Sequence, residues 1–189
     1  MRHKTMTIDW EALAKQIGGL QPDGSERTVG TQGGKRAMEI LLGEENLRDA
    51  VDYFISLCPG AFTAEMVLKI VQSEIAMKRC FEIYKTEPGT DRACSAVFLL
   101  GSMADKKTLP WVREFVRDAD RAVRLNGLRV LQYILCGPLN DEEMEAAKNL
   151  LEIAEMDPTR SCENVLRAFG STIYLVEGFV LVGNQQRSL

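Results

Sequence analysis

The chain has 189 residues, 46% of them apolar and 26% charged, which is enough for one domain with a sizeable core and too apolar for a disordered chain. Its 23 Lys and Arg stand against 27 Asp and Glu, a net charge of −4, with the two signs interleaved, so nucleic acid and anionic membrane surfaces lack the basic face they require. A single histidine, His3, leaves His-dependent acid/base chemistry, Ser-His or Cys-His nucleophiles and most zinc sites without their central group.

Along the chain the 3.6-residue period recurs and sustained alternation does not, which predicts an all-α protein. Thr7 or Asp9 caps a short helix through Ala12, Leu13 and Ile17, stopped by Gly18 and Gly19. Residues 20–34 hold Pro22, Gly24, Gly30, Gly33 and Gly34 without a period and read as a long mobile loop. A helix resumes at Lys35 and runs to Leu42; after Gly43 the acidic pair Glu44 and Glu45 opens another, with the stripe Leu47, Ala50, Val51, Phe54 and Ile55. Thr63 is expected to cap a helix whose apolar stripe is Val67, Ile70 and Val71, with a break near Gln72 and Ser73 before Met77, Cys80, Phe81 and Tyr84.

After the turn at Pro88 and Gly89, residues 91–104 place Ala93, Ala96, Val97, Leu100 and Met103 on one face. Residues 109–117 form a short helix with Pro110 in its first turn. Residues 120–135 carry Val123, Gly127, Leu128, Leu131 and Ile134 and end at Gly137 and Pro138. The run Asp141, Glu142, Glu143 suits a helix N-terminus better than a metal, and that helix continues to Ala154. A last helix is expected from about residue 158 through Phe169 and Val180.

Five scattered cysteines, Cys58, Cys80, Cys94, Cys136 and Cys162, form no Cys-x-x-Cys and read as reduced thiols. All but Cys58 fall in helical patterns, where a thiol acts as a small core hydrophobe. The first ten residues lack an apolar run of the signal-peptide kind. The most apolar run, 173–182, opening on Ile173 and closing on Val182, is interrupted by Glu177 and Gly178 and is too short to span a bilayer. A cytoplasmic protein is the expectation, and run 173–182 is a candidate homodimer contact or a cap on the preceding helices.

A 31-residue shift superposes Ala96 on Gly127, Val97 on Leu128, Leu99 on Val130, Leu100 on Leu131 and Met103 on Ile134. Asp105, Leu109-Pro110-Trp111-Val112, Phe115, Asp118-x-Asp120 and Val123-Arg124 then resemble the HEAT-like repeat of phycobilin lyases and many bacterial scaffold proteins. Residues 91–136 carry the likeness well and 141–169 more weakly, with Cys162-Glu163 in place of Val-Arg. The resemblance implies a right-handed α-α superhelix of about four helix pairs, residues 1–90 forming N-terminal helices and 91–183 the repeats. Such pairs stack to share a core, with inner helices lining a curved face. Ala93, Ala96 and Gly127 are expected to let inner helices approach closely.

Residues of those inner helices that miss the buried stripe are Arg92, Ser95, Phe98, Leu125, Arg129 and Tyr133. Ordinary solvated surface accounts for side chains of this kind, yet an aromatic, an Arg and a Tyr together have the composition of interface anchors, so Phe98, Leu125, Arg129 and Tyr133 are the candidate partner-binding residues. Gly30-Thr-Gln-Gly33-Gly34-Lys35 departs from a phosphate loop, with Val29 at the first glycine, Arg36 at the Ser/Thr and no preceding strand. Free amides at the start of that helix could at most hold an anion. No catalytic, cofactor or metal residue is predicted. The expectation is a non-catalytic protein-interaction module: a scaffold, an adaptor or an immunity protein that neutralises a toxin. The alternative that the resemblance carries is a HEAT-like enzyme of the phycobilin lyase kind.

Overall fold

The computed structural model describes residues 8–155, and among these every regular element is helical apart from one isolated bridge between Leu20 and Glu26. The expected Thr7 cap, the helix from residue 158, Cys162 and the run 173–182 lie outside the described residues. Two compact units follow one another, the first up to Ala76 and the second from Met77.

In the first unit Asp9 caps α1 (Trp10–Gln16), its carboxylate accepting the Ala12 amide at 2.9 Å, and Leu13 is the buried residue of that helix. The connection that follows is shorter than expected, because α2 (Gly30–Ile55) begins at Gly30 rather than Lys35. Glycine makes the early start feasible: a Cβ at Gly33 would fall 2.2 Å from Val29 Cγ2, so the first turn closes only around a residue without one. The rest of the connection is tied down, with the Arg27 amide donating to Gly19 O at 2.9 Å and its Nε to Gly18 O at 2.8 Å. As the sequence indicates, α2 is broken at Gly43, where φ is 75°, and its second half buries Leu47, Val51, Phe54 and Ile55.

α3 (Ala61–Val71) departs from expectation in two respects. Gly60, at φ 100°, is the cap, so Thr63 already lies inside the helix. The face turned to α2 is Ala61, Leu68 and Val71, whereas Val67 and Ile70 are exposed. At the far end Gln72 takes a left-handed conformation and accepts a hydrogen bond from the Lys35 ammonium. The buried Ser73 hydroxyl donates to Glu39 Oε1 at 2.6 Å and accepts the amides of Ile75 and Ala76, which opens α4 (Glu74–Thr86).

The second unit begins within α4, whose Met77, Cys80, Ile83 and Tyr84 are buried. Thr90 caps α5 (Asp91–Met103). Asp105 caps a 3-10 turn, Lys106–Thr108, that leads into α6 (Leu109–Phe115), with Pro110 where the missing N–H costs nothing. The Asp-x-Asp-x-x-Val-Arg stretch then acts as a joint. Asp118 accepts the Asp120 amide at 2.8 Å, Asp120 caps α7 (Arg121–Leu135) through the Ala122 amide at 2.7 Å, and the Arg124 guanidinium donates to the carbonyls of Asp118 and Ala119. α8 (Asp141–Glu155) opens on a reciprocal capping box, Asn140 N–H to Glu143 Oε2 at 2.9 Å and Glu143 N–H to Asn140 Oδ1 at 2.8 Å. Glu143 thereby serves the helix end, and its carboxyl is held below the usual range by the Asn140 amide and then by Lys106.

Within this unit α5 packs chiefly on α7, α7 on α6, and both α6 and α7 touch α8. Burial follows the 31-residue shift: Ala96 and Gly127, Val97 and Leu128, Leu99 and Val130, Leu100 and Leu131, and Met103 and Ile134 are all buried. Gly127 plays a role other than the one expected. A Cβ there would lie 2.5 Å from Phe115 Cβ, so the glycine admits α6, not the neighbouring inner helix. Phe115 is fully buried and meets Tyr84 edge-on, centroids 4.8 Å apart, while Phe81 stacks on Trp111 at 4.6 Å.

Candidate functional site

The four residues singled out in the sequence lie on α5 and α7, which the 31-residue repeat sets side by side. Leu125, Arg129 and Tyr133 recur every four residues along α7 and so share one face. Phe98 is the counterpart of Arg129 one repeat earlier, and the structure joins the two: the Arg129 guanidinium carbon stands 5.8 Å from the Phe98 ring centroid. Phe98 is 40% exposed and Tyr133 51%, while Leu125 is half-buried. An aromatic ring under a guanidinium, a second aromatic one turn on and an aliphatic one turn back therefore form one continuous patch. Arg92 and Ser95, also considered for this face, are half-buried, and Arg92 is bound to Glu87 at 2.9 Å, an ion pair to the preceding turn.

The four described cysteines differ in their surroundings. Cys94 is half-buried, accepts Asn126 Nδ2 at 3.4 Å, and its thiol is pushed up by burial and by Asp120, the wrong direction for a nucleophile. Cys80 is a core residue as expected. Cys136 is not: it is exposed, because it occupies the C-cap of α7 rather than the helix interior. Among the described residues no three His, Cys, Asp or Glu side chains gather as a metal-binding group, and no helix is long and apolar enough to cross a membrane.

Two surface features escaped sequence reasoning. One is a groove of about 810 Å³ between α6 and α8, floored by Leu109, Pro110, Leu150 and Ile153 and rimmed by Arg113 and Glu142. It joins residues some forty positions apart, and no local pattern announces such a pairing. The other is the outward face of α3, where Phe62, Met66 and Ile70 are exposed. Its signal was present, since Thr63, Glu65 and Lys69 are the polar residues of that helix and everything else in it is apolar.

No model of a known protein family matches this chain, and no curated protein or solved structure is detectably similar to it.

Proposed function

We propose that this chain is a non-catalytic, HEAT-like protein-interaction module that holds a protein partner against the α5/α7 face, with Phe98, Leu125, Arg129 and Tyr133 as anchors. The observation that carries the reading is the Arg129–Phe98 stack with Tyr133 beside it. A guanidinium over the Phe98 ring is favoured by about 0.5–1 kcal/mol at an exposed site, which biases Arg129 toward this position before docking. Aromatic and Arg side chains are the groups that interface centres favour. The kinds of partner this reading covers are a toxin held by an immunity protein or a protein recruited by an adaptor, and the cationic Arg129 at the centre of the face calls for a carboxylate or an aromatic ring opposite it.

Capture from native lysate with the wild-type chain and with Arg129→Glu and Tyr133→Ala tests this. A stoichiometric protein retained by the wild type and lost from both variants is the expected result. A partner retained equally by all three removes the α5/α7 face from the account, and a coloured tetrapyrrole carried by the purified chain replaces the module with an enzyme of the bilin-lyase kind.

A further inference from the structure

α3 is apolar on two faces, and the first unit uses only one. Ala61, Leu68 and Val71 are buried on the face turned to α2. On the opposite face Phe62 is 79% exposed, Met66 64% and Ile70 65%. At positions i, i+4 and i+8 the three stand in one stripe, and the exposed Leu57 lies in the connection just before the helix. The stripe and its borders expose on the order of 500 Å² of apolar surface, the upper part of what an ordinary monomer shows in one patch. Pairing two such patches removes about 1,000 Å² from water, the threshold of a specific interface.

We infer that α3 is the seam of a two-fold homodimer, packed antiparallel against α3 of a second copy. Charge placement points to a second copy and sets the direction. At about 100° per residue, Glu65 and Lys69 border the stripe on one side, and Thr63 and Val67 border it on the other. A two-fold axis perpendicular to the paired helices brings like border to like border. Glu65 then faces Lys69 of the second copy and Lys69 faces its Glu65, two reciprocal pairs from one line of two opposite charges. The axis passes between Met66 and Val67, so the two Met66 side chains meet across it and Phe62 lies against Ile70 of the second copy. A parallel pair would instead set the charged border against Thr63 and Val67, with no counter-charge. Exposed ion pairs add little affinity; here they select orientation, while the apolar stripe supplies the association.

Sedimentation velocity of the full chain over a micromolar concentration range tests the seam, with far-UV circular dichroism confirming that each variant is helical. The wild type should sediment at twice the 21.1 kDa chain mass. Met66→Glu, which sets two carboxylates against each other at the axis, should be monomeric throughout. Lys69→Glu should weaken association about tenfold by turning both pairs repulsive, and the exchanged Glu65→Lys/Lys69→Glu chain should recover it. A monomeric wild type, or a dimer that Met66→Glu leaves intact, overturns the seam. Failure of the double exchange to recover what Lys69→Glu loses overturns the antiparallel arrangement. Should Met66→Glu misfold, the wild-type mass and the charge exchange decide alone.

Discussion

Two glycines, one in the last turn of α5 and one in the middle of α7, should respond to the same substitution with opposite signs. Alanine in place of glycine inside a helix is ordinarily worth about 0.5–1 kcal/mol. At Gly101 in α5 the added methyl would meet Val130 and Arg129 atoms at 3.8–3.9 Å, ordinary contact, so Gly101→Ala should realise that gain. At Gly127 in α7 the methyl would stand 2.5 Å from Phe115 Cβ and 3.3 Å from its carbonyl carbon, against about 3.5–4.0 Å for a relaxed carbon pair. Phe115 cannot yield, since it is fully buried and fixed edge-on against Tyr84. α6 must move instead, at the upper end of the roughly 1–3 kcal/mol that overpacking costs. Subtracting the helix gain leaves Gly127→Ala destabilised by about 2 kcal/mol. Urea unfolding followed by Trp111 fluorescence, in a Trp10→Phe background, reports on this unit because Trp111 stacks on Phe81. Equal midpoints for Gly127→Ala and its parent, or shifts of one sign at both glycines, would refute the close α6–α7 approach.

At the α5/α7 face, Arg129→Glu or Tyr133→Ala should weaken partner binding by about 1–3 kcal/mol with the melting curve unchanged, as calorimetric titration and circular dichroism would show. The Tyr84 hydroxyl donates to Asp118 Oδ2 at 2.8 Å, and burial followed by that carboxylate raises the Tyr84 pKa. A raised pKa means the neutral phenol is favoured in the fold, so its contribution is complete below about pH 10, the unfolded value, and fades above it. Tyr84→Phe should therefore be less stable by about 1–2 kcal/mol near neutrality, with the gap closing as urea midpoints are taken above pH 10; a constant gap would contradict the assignment. Leu57 is exposed in a left-handed conformation, φ 54°, just past the end of α2, so Leu57→Gly should raise stability by about 0.5–1 kcal/mol, and a fall in melting temperature would count against it. Asn140→Ala removes one arm of the α8 capping box and should cost about 0.5–2 kcal/mol in the same denaturation assay.

The repeat at α5–α7 was legible because a buried face and its connecting joint recur together. Gly127, Leu128 and Leu131 reproduce the burial of Ala96, Val97 and Leu100, and Asp118, Asp120 and Arg124 satisfy the backbone groups between. The same shift brought Phe98 and Arg129 to one register, so their contact follows from the pattern. α3 defeated the reading for the opposite reason. A helix with three polar residues in eleven has no single apolar side, and spacing alone chose Val67 and Ile70, which the fold leaves outside. The start of α2 at Gly30 was hidden by glycines that argue against helix in isolation, whereas contact with Val29 favours glycine at position 33. The α6–α8 groove depends on how two distant helices settle against each other, which no window of sequence contains.

The claim that this chain binds a protein through α5 and α7 is tested most directly by hydrogen exchange with and without the partner retained by the wild-type chain. The account predicts slowed exchange in peptides spanning 91–103 and 121–135, no change in Arg129→Glu mixed at the same concentrations, and no change along the α6–α8 groove. Protection confined to the groove or to α3, with residues 91–103 and 121–135 exchanging as in the free chain, would contradict it.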